Sequence, residues 1–75
     1  MDFDNILDIA IRNGLPQSDV LIINEYLEHS EWGIAFEQLC SAIEQENIVI
    51  TKTDFQLIKD IGEFMGMDKG LWEHL

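Results

Sequence analysis

The sequence predicts an all-α fold: a small antiparallel four-helix bundle closed by a short C-terminal helical turn. Three observations predict it. Apolar residues recur every three or four positions through nearly the whole chain, which is the period of an α-helix. Residues that break or cap helices, namely Gly14, Pro16, Ser30, Gly33, Thr51, Gly66 and Gly70, interrupt that pattern and leave four segments of helix length. Seventy-five residues with 47% hydrophobic content supply one core and not two, so residues 1–75 are expected to form a single domain.

The first helix is expected from about Asp4 to Asn13. It carries Phe3, Ile6, Leu7 and Ala10 on one side, Gly14 stands where a left-handed residue would end it, and Asp8 and Arg12 are spaced to pair on its surface. The second helix starts at Pro16 or Ser18, with Ser18 or Asp19 available to accept from free first-turn amides, and runs to Glu28. Val20, Ile23, Tyr26 and Leu27 share its inner side, while Leu21 falls among Asn24, Glu25 and Glu28 on the outer one. The third helix, from Ser30 or Glu31 to about Glu46, buries Trp32, Ala35, Phe36, Leu39 and Ile43, with Glu37, Ser41 and Glu44 as its outer stripe and Ile34 exposed beside them. Ile48, Val49 and Ile50 would make a strand without a partner and are read as an apolar connector pinned to the core. Thr51 and Asp54 form a Thr-x-x-Asp variant of the capping box at the start of the fourth helix, with Ile50 and Phe55 at the staple positions. That helix is expected to bury Phe55, Leu57, Ile58, Ile61, Phe64 and Met65 and to end at Gly66. The tail, Met67 to Leu75, then packs Leu71 and Trp72 back on the bundle.

Charge excludes more functions than any motif does. Fifteen Asp and Glu against four Lys and Arg give a formal net charge of −11, and residues 1–50 hold ten acids and one base. Arg12, Lys52, Lys59 and Lys69 are scattered, whereas holding a phosphate backbone needs clustered cations, so no direct nucleic-acid binding is expected. No apolar run approaches the roughly 20 residues that cross a bilayer, and no basic, signal-like segment precedes the first helix, which predicts a soluble, cytoplasmic protein. The one cysteine, Cys40, has no partner for an internal disulfide.

The residues that could carry chemistry are few, and each has a bland reading beside it. A Cys/His hydrolase needs a nucleophile, a base and an orienting group, yet the chain offers Cys40, His29 and His74 alone. Cys40 reads as a small packing residue, His29 as an exposed or capping residue in a turn, and His74 as part of a disordered end. Asp2 to Asn5 lacks the glycine and distal glutamate of a calcium loop, and no spacing converges on zinc ligands. No enzyme, cofactor or metal is expected. Acyl carrier proteins are acidic and helical at this size, but they place Asp-Ser-Leu at the second helix where this chain has Ser18-Asp19-Val20.

The run Glu25-Tyr26-Leu27-Glu28-His29-Ser30-Glu31-Trp32-Gly33-Ile34-Ala35-Phe36-Glu37-Gln38-Leu39-Cys40, followed by Phe55-Gln56-Leu57-Ile58, Met65-Gly66-Met67-Asp68 and Trp72, resembles the MafI family of bacterial immunity proteins. The resemblance spans about residues 20 to 73. Its most specific part is the His-x-Glu-aromatic-Gly turn with the Ala-x-x-x-Leu-Cys that follows it; Ser30 stands where Gly is expected and Trp32 where Tyr is commoner. The Trp32-Gly33 turn has a structural reading as well, with the ring buried between helices and Gly33 permitting close approach.

The resemblance implies a partner, the C-terminal effector domain of a cognate toxin, frequently a nuclease, with an RNase favoured over a DNase. A nuclease surface is basic because it must hold phosphate, so an acidic domain can steer to it and occupy it. The expected contacts are Leu21, Glu25 and Glu28 of the second helix and Glu37, Ser41 and Glu44 of the third. The free chain is expected to be a monomer or a weak homodimer, with Leu21 and Ile34 as the self-association candidates. A regulatory adaptor or DNA-mimic protein that covers a basic host protein would show the same charge, and outward carboxylates in many helical domains serve solvation alone.

Overall fold

The computed structural model describes residues 1–75 as four α-helices, α1 (Asp4–Arg12), α2 (Gln17–Glu28), α3 (Trp32–Gln45) and α4 (Lys52–Phe64), followed by a 3-10 turn at Lys69–Leu71, with no strand. All four helices stop in the same way. Gly14, Ser30, Asn47 and Gly66 take positive φ values of 71°, 57°, 51° and 68°. In each case the amide of the next residue donates back to a carbonyl five positions earlier: Leu15 to Ala10, Glu31 to Tyr26, Ile48 to Ile43 and Met67 to Gly62. These are Schellman terminations, in which the left-handed residue turns the chain so that otherwise orphaned carbonyls are satisfied. Three of the four also bring an apolar residue back onto the helix; at α2 the corresponding residue is Glu31, which stays exposed.

The starts of the helices are less uniform. Thr51 accepts a bond from the Asp54 amide at 3.1 Å, which is the forward half of a capping box. The reverse half is missing because the Asp54 carboxylate is taken up elsewhere. Neither Ser18 nor Asp19 caps α2, contrary to expectation; Pro16 is the N-cap residue, with no side-chain bond, and Asp19 accepts from Gln38 of α3 at 2.8 Å.

Ile6, Ile9, Ile23, Phe36, Leu39, Ile43, Ile58 and Ile61 are fully buried and come from all four helices. Each such side chain contributes about 1.5–3 kcal/mol relative to leaving it in water. α2 and α3 fold back on each other through a three-residue turn, so that Asp19 near the start of α2 meets Gln38 in α3. α1 and α4 run in opposite directions: Phe3 at one end approaches Phe64, with ring centroids 6.0 Å apart, while Arg12 and Asn13 at the other end bond Asp54. The tail closes the core with Trp72, 4% exposed, whose ring meets Phe36 edge to face at 5.8 Å.

Several side chains sit differently from the sequence expectation. Arg12 pairs with Asp54 and not with Asp8, because the buried carboxylate offers two oxygens from which water is excluded. Phe64, expected in the core, is 64% exposed, and Trp32 is 41% exposed, because both lie at helix ends where the core runs out. The close approach expected at Gly33 occurs at Gly62: a Cβ there would lie 2.7 Å from Cη2 and 2.8 Å from Cε3 of Trp72, while one at Gly33 would make only an ordinary contact with Met67. Ile48 and Ile50 are half-buried as a pinned connector requires, but Val49 between them is 93% exposed. His74 is placed in a terminal turn beside Glu44, Nε2 to Oε2 3.2 Å.

Candidate functional site

Of the ten acids in residues 1–50, nine are exposed and the tenth, Asp19, is half-buried. None of them has a Lys or Arg within ion-pair distance, since the two ion pairs in the structure are Arg12–Asp54 and His74–Glu44. Arg12 is the sole base of that segment, and it is committed to a carboxylate of α4. Apart from the through-space attraction of Arg12 to Asp8, the acids of α1, α2 and α3 therefore form a surface without lysine or arginine ion pairs of its own.

All six residues singled out in the sequence are exposed. Leu21, Glu25 and Glu28, at spacings of four and three, share the outer stripe of α2, with Leu21 58% exposed. Glu37, Ser41 and Glu44 share the outer stripe of α3 in the same way. The two stripes do not merge into one patch. Between them runs the flank where Asp19 meets Gln38, and Ile22 and Ile34, one helical turn from each, are 39% and 45% exposed. Glu44 lies on the tail side of α3, as its contact with His74 shows. Asn24 donates to Glu28 at 3.2 Å, which orients one carboxylate of the α2 stripe.

Two features were not anticipated, one polar and one aromatic. The first joins Arg12, Asn13 and Asp54: Arg12 donates through Nη2 and Nε, and Asn13 Nδ2 donates to Asp54 Oδ2 at 2.9 Å and to the Ile9 carbonyl at 2.8 Å. The hydrogen bond from Arg12 holds the Asp54 carboxyl below the usual carboxylate range, against the upward push of burial and with help from Asn13. The sequence did carry a signal for it, because Asp54 lies at helical spacing from Ile58 and Ile61 on the buried side of α4. The second is an exposed aromatic cluster of Phe3, Trp32 and Phe64, which no spacing within one helix reveals.

The remaining reactive group is Cys40, 1% exposed, whose thiol is pushed up to about 12 by burial, with a further rise from the charge of Glu37. A thiol so held is protonated and inert. No three His, Cys, Asp or Glu side chains converge as metal ligands would, and no helix is long and apolar enough to cross a membrane. What the surface offers chemically is unneutralised carboxylate on rigid helices together with patches of apolar side chain. The chain matches no protein-family model, no curated protein and no solved structure.

Proposed function

We propose that the chain is an immunity protein, not an enzyme, that binds and neutralises a cognate toxin effector domain, most simply a nuclease and an RNase before a DNase. Acidic-surface docking is the means. The observation that carries the reading is the set of ten acids in residues 1–50, on the first three helices and the turns beside them, without a lysine or arginine within ion-pair distance. A basic enzyme surface supplies the missing cations, association is accelerated by the opposed fields, and a domain seated there stands where a polyanionic substrate would enter. The likeness of residues 20 to 73 to the MafI family supports the same role. The reading includes action in the cytoplasm as a monomer or weak homodimer, and a scaffold packed as an antiparallel four-helix bundle. The opposed directions of α1 and α4 and the fold-back of α2 on α3 support that packing.

The test is co-expression with the effector domain encoded beside the gene, purification of the complex, and affinity measurement from about 50 to about 500 mM salt. Expected are a one-to-one complex whose affinity falls steeply with salt, and a loss on Glu25→Lys with Glu28→Lys of about 2–5 kcal/mol for each pair that is buried in the interface. Affinity indifferent to salt would remove the reading. Capture of a DNA-binding host protein in place of the effector would make the chain a regulatory adaptor or DNA mimic.

A further inference from the structure

Phe3, Trp32 and Phe64 come from the ends of three different helices and meet at the surface. Trp32 stacks on Phe3 with ring centroids 4.7 Å apart and planes 21° apart, and Phe64 tilts against the other side of the cluster. At 41% and 64% exposure, Trp32 and Phe64 leave much of both residues in water. From Trp32 the apolar surface continues into a shallow depression lined by Ile34, Met65 and Met67. Methionine side chains suit such a place because they reshape around different partners. The rim is acidic. Asp2 and Asp4 flank Phe3 in the chain, Glu31 precedes Trp32, and Asp60 lies one helical turn before Phe64; no Lys or Arg lines the depression.

We propose that this patch is the apolar anchor site for a basic protein partner. It seats one or two large aliphatic or aromatic side chains of an amphipathic segment whose flanking Lys and Arg reach the acids of the rim. The proposal rests on the acidic-docking reading and adds to it the desolvated centre of the interface. Charges on an open surface govern steering and salt dependence, whereas a preformed aromatic stack sheltered by a polar rim is where truncation costs most. A second copy of this chain does not fit, because a two-fold contact would set each acidic rim against its own image between molecules of net charge −11.

The probe is a fluorescently labelled synthetic amphipathic helix of Leu and Lys, titrated with the intact chain, beside a peptide of equal charge with Ser in place of Leu. Expected are binding of the Leu/Lys peptide, a blue shift of Trp32 emission, and weakening of about tenfold both in Phe64→Ser and with the Ser-containing peptide. Trp32→Ser, read by peptide anisotropy, gives a second variant with the same expected loss, and circular dichroism shows that both remain folded. Equal affinity of the wild type and a folded Phe64→Ser overturns the proposal. The failures are separable with the purified effector domain: if Glu25→Lys with Glu28→Lys abolishes its binding and Phe64→Ser leaves it unchanged, acidic docking stands and the anchor site falls. Concentration-dependent dimerisation that Phe64→Ser removes would make the patch a self-contact and overturn it as well.

Discussion

Replacing Asp54 with alanine removes the carboxylate that ties the end of α1 to the start of α4. Asp54 is 4% exposed and accepts a charge-assisted bond from Arg12 Nη2, a longer one from Arg12 Nε at 3.4 Å, and a bond from Asn13 at 2.9 Å. A bond to a charged group contributes about 1.5–3 kcal/mol and a neutral one about 0.5–1.5 kcal/mol. The contributions do not add fully, because the half-exposed Arg12 side chain can turn to water and Asn13 keeps its bond to Ile9. The expected loss for Asp54→Ala is therefore about 2–3 kcal/mol. For a domain of this size that lowers the melting temperature by roughly 10–20 °C. Asp54→Asn retains an acceptor and falls between alanine and the wild type. The pH dependence has a definite sign. The folded Asp54 pKa lies below the unfolded value of about 3.9. Its stabilisation is thus complete well above that pH, fades as the pH falls through it, and is absent below the folded pKa. Thermal melts of the two chains followed by far-UV circular dichroism should show a constant gap from neutrality to about pH 5 that narrows below about pH 4. Taking the difference between the chains removes the general relief of acid repulsion, which both share. A gap under about 2 °C at neutral pH, or one that persists undiminished in acid, would refute the reasoning.

Ser30→Gly should stabilise the chain by about 1 kcal/mol in urea unfolding, because the φ of 57° at the end of α2 suits glycine and strains serine. Gly62→Ala should cost about 1–3 kcal/mol and alter the near-UV signal of Trp72, since the added methyl meets that ring inside van der Waals distance. Cys40 should resist a thiol reagent at about pH 8 in the native state and react fully in denaturant, because burial leaves almost none of it as thiolate. Fast labelling of the folded protein would show that α3 opens readily.

Helix number and order were legible in the chain because both signals are local: the apolar period and the capping residues lie within a few positions of one another. Gly14 and Gly66 announced their helix ends, and Ser30 and Asn47 do the same work with less suitable side chains. The outward stripes, Leu21 with Glu25 and Glu28, and Glu37 with Ser41 and Glu44, follow from a wheel and needed no tertiary information. What a wheel cannot give is the length over which its buried side stays covered. Phe64 and Trp32 have core-like positions but sit where neighbouring helices end, so they face water. Arg12 illustrates the complementary error: Asp8, four residues away, was the obvious partner, and the true one is 42 residues distant on a helix that runs the other way. The close approach at Gly62 escaped for the same reason, since it depends on where the tail lays Trp72.

The two unanticipated features also bear on each other. Binding Arg12 to Asp54 fastens one end of the α1–α4 pair and, in the same act, commits the one Lys or Arg of the first fifty residues to a carboxylate outside them, leaving it only a through-space attraction to Asp8. The aromatic cluster fastens the opposite end but leaves part of its surface uncovered. Both arrangements carry a cost to the isolated chain, in mutual repulsion of carboxylates and in aromatic surface left in water. A basic partner with an apolar anchor, as proposed above, would relieve both costs in a single contact, so its binding would be linked to folding. At about one hundred times the dissociation constant the gain is about 2.7 kcal/mol, comparable with the Arg12–Asn13–Asp54 tie itself. That linkage makes the proposal measurable in the fold itself: a partner covering the acids and the aromatic cluster together would raise the melting temperature of the wild type more than that of Phe64→Ser.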